Sequence, residues 1–130
     1  MMKKREQHRV AVIIKHHNDY LVCQLPGKTS SSKWEFPGDH IRDGEALSDA
    51  ARRIAEKKLG MSVSKVGDVV FAADEAFVPL KESFFEVDAT GPVNAPAYTG
   101  SAWCPLDDLL KLDMWLLDKT VVDILRNGGH

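Results

Sequence analysis

Residues 45–61 read EALSDAARRIAEKKLGM, and this stretch constrains the fold more than any other. Leu47, Ala50, Ala51, Ile54, Ala55 and Leu59 recur at a spacing of about 3.6 residues, with Arg52, Arg53, Glu56 and Lys57 off the stripe. A helix of this pattern must bury one face against something apolar. Gly60 supplies its stop, where a left-handed residue is wanted. Segments of the other periodicity lie on both sides. RVAVIIKHH and YLVCQL are β-rich runs joined by the turn-like His17-Asn18-Asp19, which predicts a hairpin. VGDVVFAA, SFFEVDA and SAWCPL read as later strands. PGKTSSSK (Pro26 to Lys33) and TGPVNAPAYTG carry turn residues throughout and read as loops. Pro105 opens PLDDLLKL at a helix start, and LLDKTVVDILRN is a terminal amphipathic helix. Strands before and after the helices predict an α/β fold with a mixed sheet between helices. At 130 residues and 44% hydrophobic, residues 1–130 are expected to form a single domain.

A net charge of −2 gives no general attraction to nucleic acid or membranes, and MMKKREQHR reads as a solvated lead-in. No apolar run approaches the ~20 residues needed to span a bilayer, and VAVII is too short for a signal-peptide core. A cytoplasmic protein is expected. Cys23 and Cys104 show no metal spacing and sit in apolar surroundings, so both are expected as buried reduced thiols. Nothing in the sequence specifies an oligomeric state or a protein partner.

WEFPG, then DGE in a short loop, then the helix ending LGM resembles the Nudix hydrolases, particularly their MutT-type branch. The family pattern G-x5-E-x7-R-E-U-x-E-E-x-G-U, with U a bulky apolar residue, aligns without gaps from Asp39 to Met61. AWCPLDDLLKLDMWLLDKTVVDIL resembles the family's closing strand and final helix, so the likeness covers nearly the whole chain. It implies a Nudix-type α/β/α sandwich.

The resemblance assigns Glu45, Arg53, Gly60 and Met61 to matching positions, with Glu45 and Arg53 tying the loop to the helix. Asp49 paired with Arg53 on the helix surface is the alternative. In the family, three helix glutamates at i, i+3 and i+4 hold Mg²⁺ or Mn²⁺, which activates the water that attacks a diphosphate. Ile54, Lys57 and Lys58 stand at those positions here. Asp39 replaces a loop glycine whose backbone contributes to the metal site, and Ala97 stands where a further acid is expected. Asp39 and Glu56 are the remaining candidate acids. Glu56 lies off the metal face and suits a pairing with Arg52. One acid beside two lysines does not make a cage for a hard cation.

Lys57 and Lys58 have two open readings, as solvated residues in a helix's last turn or as cations that bind phosphate directly. Asp118 matches a family position that can hydrogen-bond a nucleobase, and it could equally cap the last helix. Trp34 and Phe36 read as sheet-edge packing, with stacking on a base the alternative. His16, His17 and His40 show no ligand spacing and read as surface residues, with His40 beside any pocket. Two functions follow. One is a catalytically silent binder of a nucleotide-like or phosphorylated ligand through Lys57, Lys58, Asp118 and Trp34, with no cofactor. The other is an active hydrolase of a nucleotide diphosphate linkage with a rearranged Mg²⁺ site.

Overall fold

In the first strand, β1 (Gln7–Ile13), the last four residues, Val10 to Ile13, are buried, as is Ile14 just beyond it. A run apolar on both faces belongs in the middle of a sheet covered on both sides. That is where the computed structural model, which describes residues 7–27, 33–74 and 79–128, puts it. β2 (Lys15–His16), β3 (Asp19–Gln24), β4 (Trp34–Glu35) and β5 (Gly38–His40) follow. The helix α1 (Leu47–Arg53) runs directly into a π turn (Ile54–Lys58). Then come β6 (Ser62–Asp74), β7 (Leu80–Thr90), β8 (Gly100–Pro105), α2 (Leu106–Leu109) and α3 (Leu116–Arg126).

The strands form two four-stranded sheets. One runs β5-β1-β7-β6, with β1 and β7 parallel and its other pairings antiparallel. The other pairs β3 with β2, β4 and β8. The sequence reading put the β-rich runs in one mixed sheet. In the structure the first hairpin is narrower, turning through His17-Asn18 between β2 and β3, while β1 joins the other sheet. Leu21 N–H donates to Ile14 O at 3.0 Å, which links the two sheets where the chain passes between them.

Alternation along β1 and β7 sorts the core into two layers. Val10, Val12, Phe85 and Val87 pack with Ala50, Ala51, Ile54 and Leu59 of the central helix. Ala11, Ile13 and Phe84 pack with Phe36, Leu109, Val121 and Val122 on the side of α2 and α3. Helices therefore cover both faces, as the sandwich requires. Cys23 and Cys104 are buried and free. Burial pushes the Cys23 thiol up to about 12, with nearby Glu35 adding to the effect, so it stays protonated. Residues 28–32 of the Pro26–Lys33 loop lie outside the described residues.

The central helix ends as its composition requires. Leu59 N–H donates to Ile54 O at 3.1 Å, an i→i+5 bond. Gly60 then takes φ 68° and Met61 N–H closes back on Ala55 O at 3.0 Å. Leu59 O accepts from Asn94 N–H at 2.8 Å, which pins the 91–99 loop against the helix end.

Candidate functional site

Gly38 stands where the box loop crosses β1. A side chain there would bring its Cβ within 2.5 Å of Val10 O, so glycine is required by close backbone approach. Its neighbour Asp39 meets no such limit and points to the helix, where Oδ2 lies 3.6 Å from Arg53 Nη1.

Arg53 gathers the corner. Its Nε and Nη2 donate to Glu45 Oε2 and Oε1 at 2.8 and 3.0 Å, and Nη2 also donates to His40 O at 3.0 Å. Glu45 Oε1 accepts from Arg42 N–H at 3.0 Å as well. The Arg53 hydrogen bonds hold the Glu45 carboxyl down to about 2, against the opposing effect of desolvation. Glu45, rather than Asp49, is thus the carboxylate that ties the loop to the helix. Glu56 lies 3.5 Å from Arg52 at i,i+4.

The three positions that would carry metal-binding acids diverge. Ile54 is fully buried in the apolar layer, Lys57 is exposed, and Lys58 is half-buried. Lys58 Nζ donates to Gly38 O at 2.6 Å and lies 4.9 Å from the centroid of the Tyr98 ring. The solvated reading therefore describes Lys57 and not Lys58. Ala97 is exposed and offers no ligand atom. Among the described residues no group of three His, Cys, Asp or Glu side chains is placed to hold a metal ion. An ammonium on the loop carbonyl, with Asp39 turned to Arg53, does not fit a hard divalent cation that needs several oxygen ligands.

A second polar cluster, which the sequence reading missed, lies on the α3 side of β1. Arg9 bridges two buried carboxylates: Nη2 donates to Glu35 Oε2 at 2.6 Å, and Nη1 donates to Glu82 Oε2. Burial opposes the Arg9 charge, and the two carboxylates more than offset it, so the pKa rises. Tyr98 OH donates to Glu35 Oε2 at 3.0 Å and accepts from Gly38 N–H at 3.1 Å. Its pKa is raised by burial and by Glu35. Glu in WEFPG and Arg in an otherwise apolar strand were the available signals; what joins them is the parallel register that sets Arg9 beside Glu82.

Asp118 borders this cluster. The capping position of α3 is Trp115, so the expectation that Asp118 caps the last helix is corrected. It lies within the first turn, 1% exposed, and its Oδ1 accepts from Phe36 N–H at 3.0 Å. Burial pushes its carboxyl up to about 8, with Glu82 adding to the shift and the Phe36 bond opposing it. Phe36 is fully buried beneath it, in edge-to-face contact with Phe84 at 6.3 Å. Trp34 is half-buried at the end of β4, bridged to Met114.

His40 lines an open recess of about 610 Å³ with Gln7, His8, Ile41, Arg42, Asp43 and Gly44, beside the loop that Arg53 holds. His16 and His17 are exposed, their rings 4.3 Å apart, on the β2–β3 turn. A second cavity of about 470 Å³, between β6, β7 and the end of α3, contains none of the box residues.

This chain is 34% identical over 67 residues to an 8-oxo-dGTP diphosphatase of Proteus vulgaris. The match takes in 50% of this chain and 60% of that relative, so it spans less than two thirds of the relative's length. Two solved folds are similar over most of their extent. A MutT structure from work on Aliivibrio salmonicida and Vibrio cholerae superposes with TM-score 0.78 at 22% identity, covering 92% of this chain and 95% of that one. A MutT NUDIX hydrolase from Burkholderia pseudomallei gives TM-score 0.79 at 15% identity, covering 92% and 98%. The model of the NUDIX domain family matches residues 5–124. With the box loop, the central helix and the covered mixed sheet all in place, the chain belongs to the NUDIX domain family.

Proposed function

We propose that this Nudix protein binds a nucleotide-like or otherwise phosphorylated small molecule and that metal-assisted hydrolysis in it is weakened or lost. One observation carries the reading. Lys58 Nζ sits on Gly38 O at 2.6 Å, a position where a family enzyme needs oxygen ligands and a divalent ion. Mg²⁺ beside that ammonium would meet like charge, and Ile54, buried in the core, offers it no donor. Of the four candidate ligand-binding residues, this reading assigns Lys58 to the phosphoryl group and half-buried Trp34 to any base, while Lys57 is solvated and Asp118 is buried beneath the surface. Residues 1–130 act as one Nudix-like domain. No described helix is long and apolar enough to cross a membrane, and a cytoplasmic setting is part of the proposal.

The likeness to an 8-oxo-dGTP diphosphatase favours the second reading, an active hydrolase with a rearranged Mg²⁺ site. Purified protein incubated with 8-oxo-dGTP, other nucleoside triphosphates and dinucleotide polyphosphates, with and without Mg²⁺ or Mn²⁺, separates the two. Release of phosphate or pyrophosphate near background, together with nucleotide-induced thermal stabilisation that needs no metal, is expected. Robust Mg²⁺-dependent turnover would establish the hydrolase instead.

A further inference from the structure

Two adjacent lysines that look alike in the sequence are held very differently. Lys57 is exposed, and no hydrogen bond or salt bridge holds its ammonium among the described residues. Lys58 is seated: Nζ donates to Gly38 O at 2.6 Å on one side and lies 4.9 Å from the Tyr98 ring centroid on the other. A cation over an aromatic face is attracted by the ring quadrupole. The seat itself is rigid. Tyr98 is 8% exposed, and its hydroxyl accepts from Gly38 N–H at 3.1 Å, donates to Glu35 Oε2 at 3.0 Å and lies 3.3 Å from Gly38 O. Glu35 is fixed in turn by Arg9.

Neither contact neutralises the ammonium. Among the described residues no carboxylate makes a salt bridge to Lys58, whereas Arg53, Arg52 and Arg9 are all paired. An ammonium has three donors, and the Gly38 carbonyl takes one of them. A free lysine gives up about 2 kcal/mol of rotamer entropy when ordered, and a pre-seated one has already lost most of it.

We propose that Lys58, held between the Gly38 carbonyl and the Tyr98 ring, is a tethered cation that binds the phosphoryl oxygens of a diphosphate group directly, with Tyr98 as its positioning residue. This rests on the reading of a phosphorylated ligand given above and goes beyond it. It names the diphosphate as the recognised group, excludes Lys57 from the contact, and gives a role to a tyrosine outside the box.

The test is calorimetric titration of the full chain with inorganic pyrophosphate in EDTA, alongside NMR of the Lys58 side chain. In the parent, the Lys58 Hε protons should be shifted upfield by the Tyr98 ring, and pyrophosphate should move these signals and those of Nζ. Pyrophosphate affinity should weaken as salt is added. Lys58→Met keeps the stem and should lose affinity about tenfold or more, while Lys57→Met should stay within about twofold, on the scale expected for one charge-assisted contact. Tyr98→Phe keeps the ring and should keep the upfield shift with weaker binding, whereas Tyr98→Leu should lose both. Unchanged pyrophosphate affinity in Lys58→Met, or binding in the parent that leaves the Lys58 signals in place, overturns the tethered cation while leaving a phosphorylated ligand in force. Failure of the parent to bind pyrophosphate overturns the inference, and failure to bind any nucleotide overturns the function on which it rests. The parent titration reads Lys58 directly, so a variant that fails to fold does not remove the test.

Discussion

Arg53 and Arg9 each hold carboxylates beside the same strand β5, and they do so in opposite surroundings. Arg53 lies toward the central helix, with side chains 13% exposed on its own part and 14% on Glu45's. It binds Glu45 through two parallel hydrogen bonds and joins two elements adjacent in sequence. Arg9 lies toward α3, bridging Glu35 and Glu82, whose side chains are each 5% exposed and which come from strands far apart in the chain. Water can still reach an ion pair like the first when it is broken. The second has no such recourse, because a lone buried carboxylate must either ionise in a poor medium or take up a proton.

The largest effect should therefore follow removal of Arg9. Arg9→Met is expected to destabilise by about 3–5 kcal/mol in denaturant unfolding, since it leaves two buried carboxylates without their cation. A variant that also carries Glu35→Gln and Glu82→Gln should regain most of that loss. If Arg9→Met alone costs no more than a surface substitution, the contrast between the two arginines fails.

Asp118 gives the next effect and a sign. Its carboxyl is raised from 3.8 to about 8, so between those values the folded chain keeps a proton that the unfolded chain has released. Stability then falls as pH rises through that window, by up to about 1.4 kcal/mol per pH unit from this group alone. Asp118→Asn keeps an acceptor for Phe36 N–H and cannot ionise. Its unfolding free energy, followed across the same window, should lack this decline, and a parallel fall in parent and variant would assign the pH dependence elsewhere.

The smallest effect belongs to the Arg53–Glu45 pair, the more accessible of the two. Arg53→Met should cost about 1 kcal/mol, because solvent takes over part of what Arg53 supplies to Glu45. Glu45 is held below its ordinary 4.5, down to about 2, so the pair's contribution is present above pH 4.5 and is lost as pH falls toward 2. Acid titration of the folded state should show that limb in the parent and a flatter one in the variant.

What could be read from the chain before folding follows from range. The apolar stripe from Leu47 to Leu59 and the stop at Gly60 are local patterns, and both took their expected places. VAVII formed its strand but paired with β5 and β7 rather than with YLVCQL. The Glu45–Arg53 tie was within reach because eight residues separate the partners. The Arg9 cluster joins residues 26 and 73 positions apart, and no local periodicity encodes the register of a parallel pair. Tyr98 stood in a loop rich in Gly, Pro and small residues, where nothing marked it as the seat of a lysine. For the same reason Lys57 and Lys58 looked equivalent. The difference between them is made by groups from β5 and the 91–99 loop.

The π turn from Ile54 to Lys58 bears on how the Nudix box of this chain is read as geometry. Counting i, i+3 and i+4 onto one face assumes an advance of about 100° per residue. Where the ladder widens to i→i+5, each residue advances less, and the same count lands elsewhere on the cylinder. Glutamates grafted at 54, 57 and 58 to rebuild a metal centre would then enter a differently wound frame. Such a graft could match the motif letter for letter and still aim its carboxylates at the wrong points in space. Shortening the turn by one residue, to recover an α-helical ladder, would be as much a part of the redesign as the acids themselves.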